Sequence, residues 1–220
     1  MLTKEEKGRF ISILADGKFH ETVSASTDGA VEREFETSDG KKGTKHELVY
    51  TKIEAYIRGV EFKDGDFGQQ ILIAFEDEEG NKVTLAQNTA SNYAEDLMKK
   101  LPLVDLNEKV KVTPFSFTDE KQRNVKGVTL FQGKTPEGKE KKVPNYFKEG
   151  GTEKPKYING FPEPQGDTSG YDKDDWKVYF ISVRKFLVKH TQDTIIPKLG
   201  GSVSSLKPDY PEGSDKDIPF

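Results

Sequence analysis

The clearest pattern in the chain is an alternation with a period of two. Ile53, Ala55 and Ile57 are apolar and stand between polar or charged residues, which is typical of a strand with one buried face. The run from 47 to 62 is long for a single strand. We therefore expect it to bend, with Gly59 as the favoured position.

Two more strands and a helix follow. Apolar alternation around 71–75 and 83–85 predicts a second and a third strand, joined by a tight turn. The period then becomes helical: Ser91 can cap a helix whose apolar residues between 93 and 101 form one stripe, and Pro102 stops it. Strands return at 110–117 and at 125–131.

The predicted order is thus three strands, one helix and two strands. With a long bent first strand, that order is what a five-stranded oligonucleotide-binding barrel (OB-fold) requires, although other small β folds share it. The segments Phe10-Ile11-Ser12-Ile13 and Val31 to Phe35 also look like strands, and we expect them to extend the sheet or cover an edge.

The C-terminal part differs in character. Residues 150–170 are rich in Gly, Pro, Lys and Asp, which indicates a loop, and Asp172 then begins a helix. The helix carries an apolar stripe typical of core or partner-facing packing, formed by Trp176, Tyr179, Phe180, Val183 and Leu187. After Gly200-Gly201 the chain is Ser-, Pro- and Asp-rich and is predicted to be disordered.

The fold class predicted is mainly β with helices. The predicted organisation is an N-terminal β extension of the barrel (1–43), an OB-fold core (44–149), a loop and C-terminal helix (150–199), and a flexible acidic tail with a docking tip (200–220).

Composition supports a binding protein more than an enzyme. Hydrophobic and charged residues each make up 33% of the 220 residues, which suits a small β core with long polar loops. The net charge is −4, but it is unevenly distributed: between Lys121 and Lys156 there are ten basic residues and four acids, whereas the stretch from Asp209 onward has four acids and one lysine. Lys-rich loops can also serve solubility alone.

No catalytic, metal or cofactor motif is present. There is no cysteine, which is compatible with a reducing cytoplasm, and His20, His46 and His190 have no metal-ligand spacing. Asp66-Phe67-Gly68 copies a kinase tripeptide without the other kinase motifs, so a hairpin turn explains it better. We expect a cytoplasmic, non-enzymatic protein without a secretory signal, a membrane span or a cofactor.

Single strands of nucleic acid are held by aromatic faces that stack bases and by cations that follow phosphates. Tyr56, Arg58 and Phe62 are predicted on the strand face opposite Ile53 and Ile57. Other candidates lie in the loop after the first strand and among the outward-facing residues of the fourth strand. The rest lie around the fifth strand and in the loop that follows it. The predicted DNA-binding residues are Tyr56, Arg58, Phe62, Lys63, Phe67, Lys109, Lys111, Phe115, Arg123, Lys126, Lys139, Lys141 and Lys142.

The final residues match a known motif. Ile218-Pro219-Phe220 follows an acidic stretch that includes Asp215 and Asp217, and this resembles the tip of bacterial single-stranded DNA-binding proteins. Lys216 replaces an expected acid. The extra N-terminal segment, the aromatic helix and the lack of a Gln-rich tail make the chain more similar to single-stranded DNA-binding proteins of tailed bacteriophages, with the bacterial host cytoplasm as the implied location.

This resemblance implies a function and partners. It implies coating of single-stranded DNA during replication, recombination or repair, and recruitment of partner enzymes through Asp215, Asp217, Ile218, Pro219 and Phe220. Phe220 could enter an apolar pocket while acids steer the tip toward basic surfaces. Two alternatives stay open: a replisome or recombination accessory protein that uses an OB-like barrel for protein contacts, and a nucleic-acid enzyme.

Overall fold

The computed structural model describes residues 8–36, 40–65, 68–150 and 156–200. In these ranges the protein is mainly β, with a ten-stranded mixed sheet and helices. The sheet strands are β1 Arg9–Ile13, β2 Phe19–Val23, β3 Val31–Glu36, β4 Lys42–Tyr50, β5 Ile53–Gly65, β6 Gly68–Glu76, β7 Lys82–Asn88, β8 Val110–Thr118, β9 Asn124–Lys134 and β10 Glu140–Lys142.

Shorter elements complete the fold. The helices are α1 Asn92–Lys100, α2 Lys173–Thr194 and α3 Ile196–Leu199, and 3-10 turns occupy Leu101–Leu103 and Thr168–Gly170. A separate two-stranded sheet is formed by β11 Lys148–Glu149 and β12 Lys156–Tyr157. No helix in the described ranges is both long enough and apolar enough to cross a membrane.

The predicted element order is confirmed. β5, β6 and β7 are followed by α1 and then by β8 and β9. Ser91 caps α1 by accepting a hydrogen bond from the backbone N–H of Ala94, and the apolar stripe of the helix is buried in the core. The bend in the first core strand is a β-bulge between Ile57 and Gly59, but the run from 47 to 62 is two strands, β4 and β5, rather than one.

The prediction of a closed five-stranded OB barrel is wrong. The sheet runs in the order β10-β9-β8-β5-β6-β7-β1-β2-β4-β3 and stays open. Closure would require β7 to meet β9, yet β7 pairs in parallel with β1, and β9 pairs with β10. Both edges that a barrel would join are therefore occupied. The N-terminal strands β1 to β4 are four of the ten strands of the sheet, and the predicted boundary at 43/44 falls inside β4.

The core lies between the sheet and the helices. Ile71, Ile73 and Phe75 of β6 are almost fully buried, and α1 packs Leu97 and Met98 into the same cluster. Burying a large apolar side chain contributes roughly 1.5–3 kcal/mol, so this cluster supplies much of the driving force for folding.

Two buried carboxylates hold the N-terminal strands together. Glu21 of β2 accepts two hydrogen bonds from Arg9, at 2.8 and 2.7 Å, and one from the Tyr50 hydroxyl at 2.9 Å. Glu47 of β4 accepts two from Arg33, at 2.8 and 2.7 Å. These bidentate pairs join β1 to β2 and β3 to β4 by side chains as well as by backbone.

Glu47→Gln should destabilise the protein in a pH-dependent way. Burial opposes ionisation of Glu47, but hydrogen bonds from Arg33 and His20 outweigh it and lower the pKa below 4.5. The unfolded chain then binds protons more tightly, so this contribution is complete above about pH 4.5 and is lost as the pH falls through the folded-state pKa. We expect a loss of about 1.5–3 kcal/mol in the free energy of unfolding at pH 7, and a smaller loss at pH 3, measured by urea unfolding.

The matched control is Glu32→Gln, at an exposed position on β3. It should change the free energy of unfolding little at either pH. An equal loss for Glu47→Gln at pH 7 and pH 3 would show that ionisation of Glu47 does not stabilise the fold.

Candidate nucleic-acid interface

One face of the sheet, across β5, β8 and β9, carries aromatic rings beside cations; we call it the outer face. Strand alternation determines which side chains lie on it: Val110 and Val112 of β8 point into the core, so Lys111 and the residues at every second position from it point outward. Its aromatic and basic members are Tyr56, Arg58, Lys109, Lys111, Phe115, Phe117, Phe131 and Lys142. The exposed acid Glu54, which is the cross-strand partner of Lys111, lies on the same face.

The rings and cations are in direct contact. The Arg58 guanidinium lies 4.5 Å from the centroid of the Tyr56 ring, and the Lys111 ammonium lies 4.6 Å from that of Phe131. Lys111 and Phe131 are cross-strand partners, and Lys142 of β10 is the partner of Phe131 on its other side. The outer face thus has aromatic surface and positive charge within one row of the sheet.

A second aromatic pair lies further along β8. The ring centroids of Phe115 and Phe117 are 5.8 Å apart, and Phe117 is 53% exposed. Phe115 faces Gly127 on β9; a Cβ at Gly127 would come within 2.9 Å of the Phe115 ring, so this glycine makes room for it. Phe117 therefore offers more free ring surface than Phe115.

Most predicted cations on or near this face are paired with carboxylates. Arg58 lies 3.5 Å from Glu76, Lys109 lies 2.9 Å from Glu78, and Lys111 pairs with Glu140. The hydrogen bond with Glu78 raises the pKa of Lys109. Arg123, at the turn between β8 and β9, pairs with Asp119 at 2.6 Å and lowers the pKa of that carboxyl group.

Phe62 does not belong to the outer face, so its predicted placement beside Tyr56 is wrong. The bulge at Arg58 adds one residue to β5, which reverses the parity of the rest of the strand. Phe62 pairs with Ile71 on the core side and packs there near Ile196 of α3.

The remaining predicted residues are dispersed. Lys63 is exposed near the end of β5, and Lys126 of β9 pairs with Ser116, on the opposite face from Phe115. Lys139 and Lys141 are exposed at or before β10. Phe67 and the tip residues Asp215, Asp217, Ile218, Pro219 and Phe220 lie outside the described residues.

Sequence reasoning missed two members of the outer face, Phe117 and Phe131. Phe117 is two residues after Phe115 and shares its parity, and Phe131 alternates with the buried Val128 and Leu130. Strand parity could therefore have identified both rings. Across the described ranges, no group of three or more His, Cys, Asp or Glu side chains could hold a metal ion.

Comparisons of the chain with protein-family models, with curated proteins and with solved structures found no match.

Proposed function

We propose that the protein binds single-stranded DNA without sequence specificity and protects it during replication, recombination or repair. The observation that carries this proposal is the outer face, where exposed or half-exposed rings stand next to Arg and Lys side chains. Every base has a π-face, so such rings can stack any sequence, at roughly 1–3 kcal/mol per base. The cations beside the rings suit the phosphates that connect the bases.

The ion pairs on the outer face are compatible with this role. Surface ion pairs contribute only about 0–1 kcal/mol, so a phosphate can displace Glu76, Glu78 or Glu140 from its cation at small cost. In the absence of DNA these carboxylates keep the face close to neutral. The overall charge of −4 is therefore no obstacle to local binding of a polyanion.

Titration of a fluorescently labelled oligo(dT) tests the proposal. We expect sub-micromolar binding at low salt that weakens as salt rises, because phosphate contacts release counterions. A parallel titration with oligo(U) compares DNA with RNA. Absence of oligo(dT) binding at low salt would contradict the proposal.

The second part of the proposal concerns partner recruitment through the tip, Asp215 to Phe220. It rests on the resemblance of Ile218-Pro219-Phe220 and the preceding acids to the bacterial motif. A proline beside an aromatic anchor lowers the ordering cost of docking.

Removal of Phe220 should abolish capture of partner enzymes from a host-cell extract while oligo(dT) affinity stays equal or rises slightly. Pull-down with the full-length chain and with the Phe220-deleted chain, followed by titration of both, measures the two effects. The matched control is Pro208→Ala, which lies in the same segment outside the tip. Loss of DNA affinity on removal of Phe220 would contradict this division of roles.

One observation favours a second candidate, a replication or recombination accessory protein that contacts other proteins. The first half of α2 exposes apolar side chains that we call the α2 ridge: Trp176 and Phe180 on one face of the helix, and Val178 and Ile181 on another. Val178 is 68% exposed, and the rings of Trp176 and Phe180 stack at 5.9 Å. Exposed apolar patches mark protein-binding surfaces. Partner capture without oligonucleotide binding would favour this candidate.

A further inference from the structure

A cleft separates the second half of α2 from the sheet. Its other wall is the start of β6 and the end of β7 with the turn that follows, and its volume is about 410 Å³. We call it the α2 cleft. It lies at the end of β5 that is distant from Tyr56, since β6 begins directly after the β5–β6 turn.

The α2 cleft contains cations that have no carboxylate partner among the described residues. Arg184 is half-buried and Lys185 is exposed, and neither forms an ion pair or a hydrogen bond there. The neighbouring Lys189 differs, because it pairs with Asp193 at 2.8 Å. Lys185 and Lys189 are one helical turn apart, so their like charges repel each other.

The opposite wall is polar rather than acidic. It presents the side chains of Gln69 and Asn88 and the hydroxyl residue Thr89, and Gln192 adds an amide from α2. On this wall Gln69 donates a long hydrogen bond of 3.4 Å to the carboxylate of Asp64. A guanidinium and an ammonium facing amide groups form a donor-rich site for a phosphate, since Arg binds phosphate oxygens through two parallel hydrogen bonds.

We infer that the α2 cleft binds phosphate groups of the single-stranded DNA, as a second contact region apart from the outer face. This inference rests on the proposed function. Arg184 and Lys185 contact the phosphates, and the amides of Gln69, Asn88 and Gln192 line the space beside them. About nine residues of β5 separate Tyr56 from the β5–β6 turn, a distance of about 30 Å. One strand of DNA that reaches both regions therefore follows β5 and passes around its end to the side of the sheet on which α2 packs.

The test compares two double variants of the full chain that each remove two positive charges from α2. R184A/K185A removes the cleft cations, and K173A/K177A removes two exposed lysines that do not line the cleft. Each phosphate contact to a single strand contributes about 0.7 to the slope of log K against log salt. The cleft variant should therefore lower that slope by about 1.4 and weaken oligo(dT) binding about 25-fold at 0.1 M salt. The control variant should keep the wild-type slope.

The outcomes separate this inference from the proposed function. If wild-type protein binds oligo(dT) and R184A/K185A keeps the slope and affinity of K173A/K177A, the cleft inference is overturned and the proposed function stands. If the wild type does not bind, both are overturned. Circular dichroism melting shows whether each variant folds, and R184Q/K185Q, which retains side-chain length, replaces the alanine variant if it does not.

Discussion

Replacing Tyr56 and Phe117 together by alanine is expected to weaken oligo(dT) binding by about 30-fold to 2.5 × 10⁴-fold. Each ring can stack one base, and two stacking contacts contribute roughly 2–6 kcal/mol. Phe117 is 53% exposed, and Tyr56 is half-exposed beneath Arg58. Truncating these rings should therefore leave the fold intact. Fluorescence titration measures the affinity, and thermal melting verifies folding.

Phe180→Ala is the matched control for the ring variants. Phe180 is also an exposed aromatic residue, at 48%, but it lies on the α2 ridge and not on the sheet. Its removal should leave oligo(dT) affinity unchanged. If Phe180→Ala weakens binding as strongly as the Tyr56 and Phe117 variant, stacking on the outer face does not explain the affinity.

Gly17→Ala is expected to lower the free energy of unfolding by about 2–6 kcal/mol. Gly17 has φ +74°, which a side chain adopts only with strain. Its added Cβ would also lie 2.6 Å from the Phe115 carbonyl carbon and closer still to the Ser116 amide nitrogen. Because those atoms are backbone, the clash can be relieved only by moving the β1–β2 turn away from β8.

Gly29→Ala separates strain from clash. Gly29 has nearly the same φ, +75°, but the nearest atom to its added Cβ is 3.8 Å away. Gly29→Ala should lower the free energy of unfolding by only about 1–2 kcal/mol. Urea unfolding measures both variants, and equal losses would show that the contact between the turn and β8 contributes nothing to stability.

Local structure could be predicted from the sequence because its causes are local. Ser91 and Asp172 each cap the helix they precede, and α2 has a full capping box with Asp175. The sequence likewise predicts which residues of β8 face the core, since the apolar Val110 and Val112 alternate with Lys111. These features depend on residues a few positions apart.

The long-range pairing could not be predicted in this way. Alternation in residues 9–13 predicts a strand but does not say which strand lies beside it. The partner is β7, and the Ile13 N–H donates to the Gln87 side chain at 3.0 Å across 74 positions. The choice of neighbour, and with it the open sheet, depends on packing of the whole chain.

Two features of the candidate site were also beyond sequence reasoning. The bulge at Arg58 adds one residue to β5, which moves Phe62 to the core side, and no alternation pattern marks such an insertion. The carboxylates that pair with the cations of the outer face come from distant parts of the chain, as with Glu78 and Lys109. The sequence could therefore predict the cations of the outer face, but not that carboxylates from elsewhere in the chain pair with them.

The parallel pairing of β1 with β7 also fixes an order of assembly during synthesis. β1 can pair with β2 soon after both have been made, but its other edge finds a partner only when Val83 to Leu85 exist. At about 5–20 residues per second, the roughly seventy residues from Leu14 to Leu85 take about 4–15 seconds to make. For that interval the nascent chain presents an unpaired strand edge, the kind of surface on which chains aggregate.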